Sequence, residues 1–505
     1  MGAEHLTTGH VVSRRAMLGF LGTGAAAVTL ASCGMGGSGS SSTRSSVDVG
    51  GTSGAPLANP TEFRSVNGLL EVALVASATM LPWGTGERYA LGYNGSVPGP
   101  TLRLRPGDTL RVALKNDLDK TTNLHTHGLH VSPEGISDNI YLMVEPGQSA
   151  NYEYRIPPDH PSGTFWYHPH HHGAVASQVF GGLAGAIVIE DAIDDIPEMR
   201  ATTERVLLLS DPRIGTTSSV LDATTAEKQQ GREGDVILVN GQLRPQVTAT
   251  AGTVERWRIV NTSTSRYYRL SVDSADMHLI GLDQGRLPSP RKVTDVTLTP
   301  GQRAEVLVPL TTAGTVTLST TEVERGKNMS MGGGMGGMGS GSTGGSIGPT
   351  TALLTIDVAS APAAPAVALP ASVRPTMPTA GQATAKRSIS FGAMSMGNGE
   401  FVIDGQPFSA DRITAAPSLG TTEDWTITNN SMMDHPFHIH VWPFQVISRS
   451  DGTSPDPGWR DTVNIPTGTS VTIRIPFEDF GGKTVFHCHI LDHEDLGMMA
   501  NVNVT

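Results

Sequence analysis

The donor atoms best suited to chemistry crowd into Thr484 to Met499, which reads TVFHCHILDHEDLGMM. The run TVFHCHI has strand character, and on a strand successive side chains point to opposite faces. Cys488 then faces one way, and His487 and His489 the other. A soft thiolate joined by imidazole and a distant thioether is the donor set of a blue-copper electron-transfer site, and His493 and Met498 stand just downstream to complete it. The two histidines flanking Cys488 face away from that set and need a metal of their own.

A second stretch, HPFHIH from His435 to His440, repeats the same parity. His438 and His440 share one face of an extended segment and can join His487 and His489, while His435 falls on the other and can join Cys488. Upstream, HTHG (His125, His127) and WYHPHHHG (His168, His170) supply two more His-x-His pairs. A single such pair is more often structural or zinc-binding, and a zinc hydrolase would want carboxylates among its ligands. HTHGLH has none. His130, His160, His171, His172 and His278 stand outside the pattern and read as supporting, surface or core residues.

With the four motifs in this order, the chain resembles the multicopper oxidases, the family of laccases, bacterial cuprous oxidases, ferroxidases and bilirubin oxidases. The resemblance covers nearly all of the chain beyond its N-terminal export signal. It implies four copper ions per chain. A type 1 copper would be held by His435, Cys488, His493 and, axially, Met498; a type 2 copper by His125 and His438; and a type 3 pair by His127, His168, His170, His440, His487 and His489. It also implies that substrate electrons enter at the type 1 site, cross the backbone around Cys488 and reduce O2 to water at the cluster. Protons are consumed there, and Asp138 and Glu494 are placed like the family's acidic relays. Either could instead orient a ligand imidazole.

The run MSMGGGMGGMG carries Met329, Met331, Met335 and Met338 in a Gly/Ser-rich segment extending to about residue 349. Thioethers are soft ligands suited to Cu(I). Further methionines stand at Met394, Met396, Met432 and Met433, the last two just before His435. In the copper-efflux branch of the family, methionines and an acidic residue near the type 1 site bind substrate Cu(I). Met433 matches such a position. Ser431 stands where that branch often has aspartate, which leaves Asp434 as the candidate carboxylate. The expected reaction is oxidation of Cu(I) in extracytoplasmic copper detoxification. The alternatives are a laccase-like oxidase of phenols or aromatic amines, a ferroxidase, and a non-enzymatic copper-storage lipoprotein. Storage needs no electron path between unlike sites, and a two-copper nitrite reductase needs neither the HCH pair nor eight cluster histidines.

The elements that must position these groups come next. Residues 1–33 read as an export signal: Ser13-Arg14-Arg15, an apolar run from Ala16 to Leu30, and Leu30-Ala31-Ser32-Cys33. The adjacent arginines suggest the twin-arginine route, and the Leu-Ala-Ser-Cys sequence resembles a lipobox, which implies lipidation of Cys33. Gly, Ser, Thr and Pro dominate residues 34–60, a composition expected of a flexible tether. The remainder repeats itself. Tyr93-Asn94-Gly95, Val239-Asn240-Gly241 and Ile403-Asp404-Gly405 each lead to an alternating strand, LRVALKN, WRIVN or WTITNN. Turn followed by alternating strand points to β-sandwiches.

The expected fold is all-β, with three cupredoxin-like β-sandwich domains at 61–195, 196–360 and 386–505 and a linker at 361–385. The middle copy lacks a His-x-His pair and reads as a spacer and packing partner without copper. The trinuclear cluster should therefore form where the first and third copies meet. Trp257 and Trp425 read as core residues. The formal net charge of −12 over 505 residues argues against a nucleic-acid partner. Cys33 and Cys488 are the only cysteines, each with a separate use, so no disulfide is expected. The expected partners are O2 and Cu(I) or another small reductant, with membrane contact only through the lipid anchor and a monomeric, extracytoplasmic protein.

Overall fold

The computed structural model describes residues 54–83, 86–214, 223–326, 350–361, 368–373, 379–392, 400–455 and 458–505. Within them the internal repeat is visible as a repeated strand pairing. Leu69–Leu81 runs parallel to Thr109–Asp117, Thr203–Ser210 to Thr253–Asn261, and Ala385–Gly392 to Thr421–Asn429. In each copy the second strand of the pair is the alternating segment singled out from sequence. The preceding turns are alike as well: Asn94, Asn240 and Asp404 have φ of 55°, 51° and 51°, and the glycine after each has φ of 73° or 74°. Asx-Gly is the pair that tolerates this left-handed turn.

Each copy closes into two facing sheets. They are four- and five-stranded in the first copy, and six- and five-stranded in the second and third. Alternation decides which side chains meet between them: Leu70, Val72, Leu74 and Ala76 of the first long strand are buried while the residues between them are not. Trp257 and Trp425 are fully buried in the second and third cores. The architecture is all-β, three cupredoxin-like sandwiches. No helix among the described residues is long and apolar enough to cross a membrane.

The structure corrects two expectations. Residues 54–58 do not extend the tether: Gly54 N donates to Arg244 O (3.0 Å) and Leu57 N to Gln246 O (2.9 Å), docking the segment on the middle sandwich. The strand read as TVFHCHI is Gly482–Cys488, so His489 and Ile490 lie beyond its end. LDHED, directly after them, forms the single-turn helix Leu491–Asp495, which carries His493 and Glu494. Its exit at Met498 is tied back, because Met498 N donates to His493 O (2.8 Å) and Cys488 N to Met498 O (3.0 Å).

Candidate metal centres

Two centres lie on opposite faces of one strand pair. His435–Ile439 runs antiparallel to Gly482–Cys488, with Phe437 opposite Cys488 and His438 opposite His487. On one side, His435 Nδ1 lies 3.3 Å from Cys488 Sγ, His493 Nδ1 lies 3.8 Å from it, and the two Nδ1 atoms are 3.3 Å apart. The outer nitrogens are held in place: His435 Nε2 meets Ser431 Oγ at 2.7 Å, and His493 Nε2 donates to Gln229 O at 3.1 Å. Both rings therefore turn Nδ1 to the sulfur. Phe401 stacks on His493 at 3.9 Å, and Met498 is fully buried in the same core as Cys488. Burial pushes the free thiol up and His435 down to about 3, so the site favours a neutral thiol unless a cation draws off the proton.

On the other side eight imidazoles converge, all buried. His125 and His127 belong to the strand His125–His127, which pairs with Gly163–His168 so that His125 sits opposite His168. The third copy contributes His438, His440, His487 and His489. Rings from the two copies stack at the junction, His125 on His440 at 3.7 Å and His127 on His438 at 3.9 Å. His170, His440 and His487 bring one nitrogen each within 4.8 Å of one another, and His127 Nδ1 faces His489 Nε2 at 3.2 Å. The first and third copies thus meet at these histidines.

Burial holds these histidines neutral, reinforced by neighbouring imidazoles at all but His438, where Arg303 adds to it: His168 is pushed down to about 3, His438 to about 4, and the others well below the usual histidine range. A neutral imidazole offers a lone pair to a cation. His125 Nε2, His168 Nε2 and His438 Nε2 are buried with no protein partner, whereas His125 Nδ1 is engaged by Asp138 (2.9 Å) and His438 Nδ1 donates to Asp461 O (2.8 Å). Unpaired buried nitrogens are costly and rare. Their convergence fits a resident metal, and imidazole and thiolate donors suit copper.

Asp138 therefore sits where a ligand is oriented. It accepts from Thr126 N (2.8 Å) as well, and burial raises it to about 7. Glu494 has both oxygens buried without a hydrogen-bond partner, with Oε2 3.2 Å from His487 Nδ1 and Oε1 3.5 Å from His170 Nε2. Burial raises its carboxyl well above the usual range. Of the residues proposed for substrate, Met433 is half-buried and Asp434 already accepts from Asn464 Nδ2 and Thr467 N, both at 2.9 Å, while Met432, not among them, is exposed. Met329, Met331, Met335, Met338, Met394, Met396 and Cys33 lie outside the described residues.

The sequence reading missed the middle copy's part in the cluster. Gly301, φ +84°, approaches so closely that a Cβ there would lie 2.8 Å from His489 Nε2. Arg303 reaches Asp461, whose Oδ1 lies 3.0 Å from His127 Nε2. The middle sandwich is thus not only a spacer. One signal was legible: Arg460-Asp461 puts a charged pair directly before TVNI, a segment otherwise patterned as a core strand.

Multicopper oxidase family models match residues 75–193, 204–329 and 372–505. The multicopper oxidase mco of Staphylococcus haemolyticus is 30% identical over 424 residues, 82% of this chain and 84% of the relative. The chain belongs to the multicopper oxidases. As a member it is a copper-dependent oxidoreductase with oxygen as acceptor, and the donor geometry above fits the family's type 1, type 2 and type 3 coppers. A multicopper oxidase from Campylobacter jejuni, described as a metallo-oxidase, has the same fold with a TM-score of 0.77, 30% identity, and coverage of 90% of this chain and 95% of that one. The cell division protein FtsP of Escherichia coli is also similar, 31% identical over 74% of this chain and 76% of its own. A shared scaffold does not dictate a role. In this oxidase the complete donor set does.

Proposed function

We propose that this multicopper oxidase is a cuprous oxidase of the cell envelope, coupling oxidation of four Cu(I) ions to reduction of O2, with four protons, to two waters. The observation that carries this reading is exposed Met432, which packs against Gly326 three residues before the type 1 ligand His435. Gly326 packs on Met432 and Met433 so tightly that a Cβ there would lie 2.3 Å from Met432 O. In the sequence Met329 follows Gly326 by three residues. Exposed Met432 stands three residues before His435, and it is a better candidate than the half-buried Met433 or the engaged Asp434. The metallo-oxidase description of the similar Campylobacter protein supports the same substrate class.

In this reading the type 1 copper is held by His435, Cys488, His493 and Met498, the type 2 copper by His125 and His438, and the type 3 pair by the other six histidines. Bound copper would supply one-electron acceptance at Cys488 and four-electron reduction of dioxygen at the histidine cluster. The chain supplies the path: His487 and His489 are covalent neighbours of Cys488, and His487 Nδ1 also donates to Cys488 O at 2.9 Å, shortening the route. Ser431 and the Gln229 carbonyl keep the type 1 imidazoles aimed at the sulfur. Asp138 sets the His125 tautomer through Nδ1, and Glu494 holds a proton beside His487 and His170 for delivery to the site of oxygen reduction. Export through the twin-arginine route, lipidation at Cys33 and a monomeric state complete the proposal.

A laccase-like activity is the second reading, favoured by a cleft of about 540 Å³ lined by Tyr267, Asp434, Val463 and Asn464, wide enough for a phenol. Deleting Met329 to Met338 separates the two. Cu(I)-driven oxygen uptake is expected to fall while phenol oxidation holds or rises, and unchanged Cu(I) kinetics would refute the role of the segment.

A further inference from the structure

We infer that Arg303 and Asp461 act together as the positioning unit of the trinuclear cluster, so that the middle sandwich completes a site to which it gives no metal ligand. The inference rests on the ligand assignment proposed above. Arg303 opens the strand Arg303–Leu310 and is fully buried. Its guanidinium grips Asp461 in a two-point fork, Nη1 to Oδ1 and Nη2 to Oδ2, both at 2.6 Å. Its Nε donates to Thr164 O of the first sandwich at 2.9 Å. One side chain therefore ties all three sandwiches together under the cluster.

Asp461 passes that constraint to two histidines from different sandwiches. His127 Nε2 donates to Asp461 Oδ1 (3.0 Å), which leaves the lone pair on Nδ1, the nitrogen that faces His489. His438 Nδ1 donates to the main-chain oxygen of Asp461 (2.8 Å), which leaves the lone pair on Nε2, the buried atom without a protein partner. One type 3 and one type 2 ligand thus take their tautomers from a single residue. The carboxylate is held in turn by Thr462 Oγ1 at 2.9 Å. Two glycines make room for the arrangement. A Cβ at Gly128, the glycine of HTHG, would lie 2.6 Å from Arg303 Nη2 and 2.7 Å from Asp461 Oδ2, and Gly301 O accepts from Arg303 Nη1 at 3.2 Å. Lysine would keep the charge and one contact to Asp461 but not the planar two-point fork.

The test compares copper-loaded wild-type protein with Asp461→Asn, Arg303→Met and Arg303→Lys. Copper per chain, the type 2 electron paramagnetic resonance signal and the near-ultraviolet absorption of the coupled pair are read against the blue absorption of the type 1 site. Loss of a partner that orients a ligand typically weakens metal binding about 10–100-fold. The expected result is depletion of cluster copper in Asp461→Asn and Arg303→Met with the blue band retained, and partial recovery in Arg303→Lys. Unaltered cluster spectra and stoichiometry in Asp461→Asn and Arg303→Met would overturn the inference. So would loss of both centres together in every variant, Arg303→Lys included, which would mark the pair as general packing. His438→Ala serves as the separate control: if it keeps the type 2 signal, the ligand assignment has failed and not the positioning alone.

Discussion

Replacing Glu494 with glutamine tests the proton supply at the cluster. The two side chains have nearly the same shape, and Glu494 is buried with both oxygens free of hydrogen-bond partners, so the substitution opens no cavity and breaks no strong contact. Because burial keeps the carboxyl protonated well above its usual range, glutamine replaces a neutral group, and folding stability should change by less than about 1 kcal/mol. What is lost is a transferable proton 3.2 Å from His487 Nδ1 and 3.5 Å from His170 Nε2. General acid catalysis by a positioned side chain contributes about 10²–10⁴-fold, equivalent to roughly 3–5 kcal/mol on the barrier. The assay is steady-state oxygen uptake with Cu(I), together with stopped-flow bleaching of the blue band under anaerobic conditions. Bleaching should keep its wild-type rate while turnover falls by two orders of magnitude or more. Turnover within about threefold of wild type, in a protein with full copper, would refute the relay role; a copper-deficient protein would make Glu494 a structural support of the ligands instead.

Two further outcomes follow from the same geometry. Gly301→Ala should deplete the cluster while sparing the blue site, since its Cβ would press on His489 Nε2 at 2.8 Å and on His127 Cε1 at 3.0 Å, and the left-handed φ of +84° adds about 1–3 kcal/mol of backbone strain; copper stoichiometry and the type 2 resonance signal decide this. His160 is a core histidine that binds no copper in this scheme: its Nε2 accepts from His130 N, and burial pushes it from 6.5 down to about 3. Its contribution is present in full above pH 6.5 and is lost as pH falls from there towards 3, by up to about 5 kcal/mol at roughly 1.4 kcal/mol per pH unit. In urea unfolding across that window, His160→Asn should lower stability at neutral pH yet show a shallower acid loss than wild type, and parallel pH profiles would refute the assignment.

Much of the chemistry was legible in the sequence because strand geometry is simple. A period of two puts Cys488 on one face and His487 on the other, and the same period in HPFHIH divides His435 from His438 and His440. The repeated Asx-Gly turns and alternating strands disclosed three sandwiches, since each turn needs its left-handed pair and each strand its buried face. Local pattern carried no information about partners far apart in the chain. Asp461 meets His127 across 334 residues and Arg303 across 158, and neither contact has a periodicity to announce it. The short helix that turns His493 towards the sulfur also escaped local pattern, being one turn held by its connections to Met498 and Gln229. The choice of nitrogen on each imidazole was decided only in the folded protein, because a tautomer depends on which acceptor stands behind the ring: Asp138 for His125, the Asp461 carboxylate for His127 and its main-chain oxygen for His438. The sequence determined which donors are present and which face each occupies; tertiary packing of three sandwiches decided where their lone pairs point.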